Sequence, residues 1–116
     1  MAQQDFDVFA VACPSRATME TVMGRWGSLT LAALAQEPQR FGELRRRIQG
    51  VSEKMLSQTL KQLEADGLAT RTVVSQTPLH VEYALTDEGH QVAEAVVALV
   101  ATVYRVQPAL LDGRTA

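Results

Sequence analysis

Lys54, Ser57, Gln58 and Lys61 recur at i, i+3, i+4 and i+7, a spacing that gathers them on one face of a helix. Their chemistry suits recognition of a polar surface. Amides and hydroxyls can hydrogen-bond to base edges, and lysine can meet guanine or a phosphate. In the same stretch Leu56, Leu60 and Leu63 fall at i, i+4 and i+7 and form an apolar stripe. One face is therefore expected to be core and the other free. A lysine, serine and glutamine face taken alone also fits an ordinary wet surface, so its meaning depends on the elements around it.

Those elements follow in a definite order. In FGELRRRIQG, Phe41, Leu44 and Ile48 fall at i, i+3 and i+7, and Gly50 stands where a left-handed helix cap is expected. Only Val51 separates that glycine from Ser52, a good N-cap for the next helix. Two helices joined by so tight a turn predict a helix-turn-helix over residues 41–66. Beyond it, Leu68 to Val74 is rich in β-branched residues, and Val81, Tyr83 and Leu85 alternate with Glu82 and Ala84. With Pro78 in the turn from Ser75 to Leu79, this predicts a β-hairpin, or wing, over 68–86. Thr86 is the expected cap of a last helix whose first residues, Asp87 and Glu88, suit its dipole.

The predicted fold is mainly α with a small β-hairpin, a winged helix-turn-helix. In that layout the polar-faced helix lies in a DNA major groove and the preceding helix crosses the backbone. Arg45, Arg46 and Arg47 on the preceding helix would supply phosphate contacts that position without specifying sequence. Ser52 and the N–H groups of the helix start would meet a phosphate. The hairpin tip, Gln76 to His80, would reach an adjacent minor groove or the backbone.

The two ends of the chain have a different character. FDVFAVACP is apolar up to Pro14. A short helix follows with Met19, Val22 and Met23 on one side, broken at Gly24. A second helix carries Trp26, Leu29, Thr30, Ala33 and Leu34 and closes at Pro38, with Trp26 read as core. At the other end, AVVALVATVY from Ala95 to Tyr104 carries no charge. Val92, Val96, Leu99, Val100 and Val103 make one stripe, and Ala93, Val97, Ala101 and Tyr104 another. A helix apolar on most of its circumference must be buried on most of it. The charge-free run falls well short of the ~20 residues needed to cross a bilayer, so no membrane partner is expected. A homodimer packed through segments 5–23 and 87–110 accounts for the burial; the alternative is cover by the first helices of the same chain.

Composition narrows the class. The chain has 116 residues, 47% hydrophobic and 21% charged, as expected for one compact domain over residues 1–116. It shows no internal repeat or linker. The net charge of −2 argues against a strongly basic nucleic-acid binder. Its distribution matters more: residues 36–72 hold seven basic and five acidic residues, net +2, and the rest is net −4. With one cysteine no intrachain disulfide is possible. Met1 to Asp7 is polar and acidic, without a leader's basic-then-apolar pattern, so a cytoplasmic setting is expected. There is no phosphate-cradling glycine loop, no G-x-S-x-G and no nucleophile with a base at sensible spacing, which argues against an enzyme. His80 and His90 lack metal-ligand spacing. No metal and no cofactor is expected.

CP at Cys13-Pro14, GRWGSLTLAAL from Gly24, RFGELRRRIQGVSEKMLSQTLKQLEADGL from Arg40 and TPLHVEYALTDEG from Thr77 together resemble the HxlR family of bacterial transcription regulators, relatives of the MarR group. The resemblance covers nearly the whole chain. It implies a homodimeric regulator, repressor or activator, that binds an inverted-repeat operator in double-stranded DNA and dimerises through its first and last helices. Carried over by position, it implies Ser52, Lys54, Met55, Ser57, Gln58 and Lys61 as recognition-helix residues, with Met55 open between groove and core. The wing departs from the pattern. His80 stands where the family usually has arginine or lysine, and SQTPLH has no fixed positive charge, so any wing contact with DNA becomes pH-dependent. The resemblance also implies Cys13 as a thiol sensor of oxidants or electrophiles. A thiol at a helix start with Arg16 nearby has reason to ionise more readily; the alternative is a small buried hydrophobe. A small-ligand pocket walled by Trp26 and the apolar N-terminal segment, and a protein-interaction module without specific DNA binding, are the other readings.

Overall fold

The computed structural model describes residues 6–115. The start of the expected segment 5–23, most of the polar stretch Met1 to Asp7 and the ends of the span 1–116 lie outside the described residues. The order is α1 (Pro14–Met23), α2 (Arg25–Leu34), α3 (Phe41–Arg47), α4 (Glu53–Ala65), β1 (Ala69–Gln76), β2 (Leu79–Leu85) and α5 (Asp87–Thr115). A mainly helical chain with one antiparallel hairpin is what the sequence pattern predicts.

The core is built around α2, which packs against α1, α3, α4, α5 and β2. Leu31 and Leu34 of α2, Leu44 of α3, and Leu56, Leu60 and Leu63 of α4 are almost wholly removed from solvent. Each such leucine contributes about 1.5–3 kcal/mol relative to an exposed one. Two residues of α2 depart from the sequence pattern. Trp26 is half-buried and packs on the edge of the core. Leu29 is exposed, because it lines an open cleft between α2 and α5.

The turn between α3 and α4 depends on Gly50, whose φ of 92° lies in the left-handed region. Ile48 and Val51 are buried on either side of it. Ser52 then caps α4, its Oγ accepting from the Met55 N–H at 3.1 Å. Before α3, the backbone of Gln39 exchanges two hydrogen bonds with Tyr83 of β2, at 2.9 and 2.8 Å. The wing root is thereby tied to the entry of the helix-turn-helix. The wing itself is a two-stranded ladder whose register shifts between Val73 and Ser75, leaving Val74 as a bulge.

Thr86 joins three elements. Its N–H donates to the Leu68 carbonyl at 3.0 Å, its hydroxyl donates to the Gly67 carbonyl at 2.7 Å, and its Oγ1 accepts from the Gly89 N–H at 3.0 Å. The first turn of α5 therefore lies against the backbone after α4. A Cβ at Gly89 would sit 1.9 Å from the Leu68 carbonyl oxygen, so only glycine fits there.

Within α5, Ala93 and Val96 enter the core. Leu99, Val103 and Tyr104 are exposed, and from Ala101 to Gly113 all described side chains but the half-buried Gln107 are exposed. The alternative that the first helices cover α5 is realised only in part: α2 packs against it, while α1 packs against α2 and α4. The helix also runs longer than the expected segment 87–110. Over Asp87–Gly113 it is long and apolar enough, by length and composition alone, to cross a membrane. That corrects the expectation drawn from the shorter charge-free run. Its first turns are nonetheless built into the folded core through Gly89, Ala93 and Val96.

Candidate nucleic-acid interface

On α4, successive residues turn by about 100°. Leu56, Leu60 and Leu63 face inward, and Lys54, Gln58 and Lys61 share the opposite face, exposed. These three lie within a sector of roughly 60°. Ser57 stands on one flank, half-buried. Met55 stands on the other flank, 40% exposed, which places it outside the core. It lines a cleft with Arg25 and Trp26 rather than the centre of the polar face. Ser52 spends its side-chain oxygen on the Met55 N–H.

The three arginines of α3 fan apart, as consecutive helical residues must. The Arg45 Nη1 is 3.0 Å from the Glu53 Oε1, an ion pair across the turn. Arg47 borders the cleft formed by α2 and α5, beside Leu29, Ile48, Val97 and Tyr104. Arg46 is exposed and has no carboxylate partner among the described residues. The sequence set Arg45, Arg46 and Arg47 is thus not one continuous basic face.

On the wing, the connection is shorter than the expected turn: Gln76 pairs with Leu79, leaving Thr77 and Pro78 between the strands. Gln76 is exposed at the tip. His80 is one step down the ladder, opposite Ser75, with its Nε2 3.1 Å from the Glu82 Oε2. A protonated His80 would face that carboxylate, so little net positive charge reaches the tip. Three large apolar residues are exposed near it: Val73, Val74 and Leu79. Arg71, opposite Tyr83 on β1, is the only fixed cation of the two strands.

Cys13 stands at the N-cap position of α1, half-buried. Burial acts to raise its thiol pKa, and hydrogen bonding outweighs this: the Ser15 and Asp7 backbones, the Ser15 hydroxyl and the Arg16 backbone together hold it below the ordinary value. The Arg16 guanidinium is engaged elsewhere, with the Glu20 carboxylate at 3.0 Å and the Phe9 carbonyl at 3.2 Å. Of the two causes expected from the sequence, the helix start and the Arg16 charge, only the first is among those that lower the pKa. No group of three or more His, Cys, Asp or Glu side chains could hold a metal ion among the described residues.

A family model described as HxlR-like helix-turn-helix matches residues 21–109. The chain belongs to this family. Its relatives include the HTH-type transcriptional regulator YtfH of Escherichia coli, 52% identical over 93 residues, covering 80% of this chain and 74% of that one. Among solved structures, a transcriptional regulator YtfH from Salmonella typhimurium superposes with a TM-score of 0.88 at 44% identity, covering 97% of this chain and all of that one. YodB from B. subtilis, solved after diamide treatment, superposes with a TM-score of 0.68 at 30% identity, covering 83% of this chain and 96% of that one. The chain is a transcriptional regulator with a winged helix-turn-helix domain.

Within this HxlR-like frame, sequence reasoning missed two cations. Arg71 is one of the seven basic residues of 36–72 and falls in the expected wing 68–86, but is not among the expected DNA contacts. Arg25 was passed over because it stands at a helix start, outside the helix-turn-helix. The signal that would have found Arg25 is its neighbour: an arginine beside the sole tryptophan can be held by the ring face.

Proposed function

We propose that this chain is a homodimeric, sequence-specific DNA-binding regulator that acts in the cytoplasm on an inverted-repeat operator. The observation that carries this reading is the two-faced α4. Its leucine stripe anchors the helix, while Lys54, Gln58 and Lys61 remain uncovered on the opposite side. Gln58 and the lysines meet base edges, Ser57 contributes from the flank, and Arg46 with the start of α4 at Ser52 meets phosphates. The uncovered length of α5 supports two copies packing through their terminal helices. Gel-shift titration against DNA upstream of its own coding region tests the reading. Binding should fall steeply with salt as phosphate contacts release counterions. Absence of binding to every duplex, or affinity indifferent to salt, would sink it.

A specific observation favours a second role added to the first. The lowered thiol pKa and partial exposure of Cys13 support sensing of oxidants or electrophiles. YodB, a family neighbour, has been solved both reduced and diamide-treated. With one cysteine per chain, a disulfide would join two subunits or a subunit and a small thiol. If Cys13→Ser leaves DNA binding equally sensitive to diamide or a quinone, the sensing role fails.

A further inference from the structure

The α1–α2 corner and α4 enclose an open cleft of about 500 Å³, walled by Arg25 and Trp26 on one side and by Met55, Gln58, Thr59 and Gln62 on the other. Gln58 belongs both to this cleft and to the outward face of α4. The cleft therefore adjoins the groove-facing surface, on the flank away from Ser57. Arg25 is exposed, and its guanidinium lies 5.5 Å from the centre of the Trp26 ring. Trp26 in turn packs on the core, and its Cη2 is 3.8 Å from where a Cβ on Gly50 would stand. The cation is thus held by a ring that rests near the turn of the helix-turn-helix.

The charge in this cleft is not neutralised from within. Among the described residues Arg25 has no ion pair. The one carboxylate on the wall, Glu20, is occupied by Arg16 at 3.0 Å. Gln62, another wall residue, donates to the Asp66 side chain at 3.0 Å, so its amide is already engaged. Gly24 provides no side-chain cap, and the first residues of α2 line the same cleft.

We infer that Arg25 contacts a backbone phosphate of the DNA strand that borders the groove entered by α4. The inference rests on the DNA-binding reading above. A duplex laid against Lys54, Gln58 and Lys61 continues over the cleft, and a guanidinium pre-set on an aromatic face meets a phosphate with two parallel N–H donors and little ordering cost. The contact positions the protein and carries no sequence information.

The test is the salt dependence of binding to a fluorescently labelled duplex of random sequence, with unfolding midpoints confirming that each variant is folded. Arg25→Ala should weaken binding and make the slope of log K against log salt shallower by about 0.9, the loss of one phosphate contact. Arg25→Lys keeps the charge and should restore the slope. An unchanged slope in Arg25→Ala, while the wild type binds with steep salt dependence, overturns the assignment alone. A shallow slope that Arg25→Lys does not restore also overturns it, because the arginine would then act through its packing on Trp26. A wild type that binds no duplex overturns the DNA-binding reading with it.

Discussion

The guanidinium of Arg45 and the carboxylate of Glu53 meet at 3.0 Å across the turn that joins α3 to α4. Both side chains are largely exposed, so the pair adds little to stability, of order 0–1 kcal/mol. Its consequence is electrostatic: it ties up one of the cations that the sequence assigns to phosphate contact. Glu53→Gln should therefore tighten binding to all duplexes and steepen the salt slope by up to about 0.9. Arg45→Ala should matter more in the Glu53→Gln background than in the wild type. Equal effects in both backgrounds, read from fluorescence anisotropy, would refute the coupling.

Roles on the two helices separate by how mutations affect sequence preference. Gln58→Ala should cost about 1–3 kcal/mol on the preferred duplex and relax discrimination at one position. Arg46→Ala should weaken binding to preferred and random duplexes alike. Competition titrations with both duplexes distinguish the two patterns, and the reverse assignment would contradict the geometry.

Leu99 and Tyr104 are 61% and 75% exposed on α5. Leu99→Glu removes nothing from the core, so the chain should remain folded while a dimer dissociates. Light scattering should report half the wild-type mass at equal concentration, with weaker binding to a two-half-site duplex. Leu63→Ala is the contrast. It should cost about 2–5 kcal/mol of stability through a core cavity. A wild type of monomer mass at working concentration would remove the basis for the dimer.

Two glycines should respond differently to alanine. At Gly50 the nearest heavy atom to a new Cβ is 3.8 Å away, so only the left-handed backbone is strained. The cost should be about 1–2 kcal/mol. At Gly89 the new Cβ would meet a backbone carbonyl at 1.9 Å, and α5 must shift. Urea midpoints should fall further for Gly89→Ala than for Gly50→Ala. The opposite order would mean that the junction through Thr86 is more pliable than its hydrogen bonds imply.

Cys13 should alkylate by the thiolate route. Because its folded pKa is lowered, more thiolate is present at neutral pH than in free cysteine. The rate with iodoacetamide should reach half its maximum at a lower pH than for free cysteine in the same buffer. Arg16→Ala should leave that midpoint nearly unchanged, since the guanidinium is bound to Glu20 and Phe9 rather than to the thiol. A midpoint at or above that of free cysteine would remove the chemical basis for sensing.

The local signals were legible in the sequence because each acts within a few residues. The Ser52 cap, the left-handed Gly50, the Leu56, Leu60 and Leu63 stripe and the Thr86 cap all depend on spacing along one helix or turn. The exposed centre of the α4 face, Lys54, Gln58 and Lys61, follows from the same periodicity. The last turn of α5, beyond the expected end at residue 110, did not, because the sequence there turns polar while the helix continues to Thr115.

What the sequence determined by itself was the order of elements and the inward or outward facing of most residues, since helical and strand periods fix these locally. Only the tertiary structure decided which charges stay free. Arg45 found Glu53 across the turn between α3 and α4, and the Arg25–Trp26 pair came to lie beside α4, whereas Arg16–Glu20 and His80–Glu82 are pairs within one element. The partner of a charge in another element depends on distances set by packing and turn geometry, and the periodicity of any one element carries no record of them.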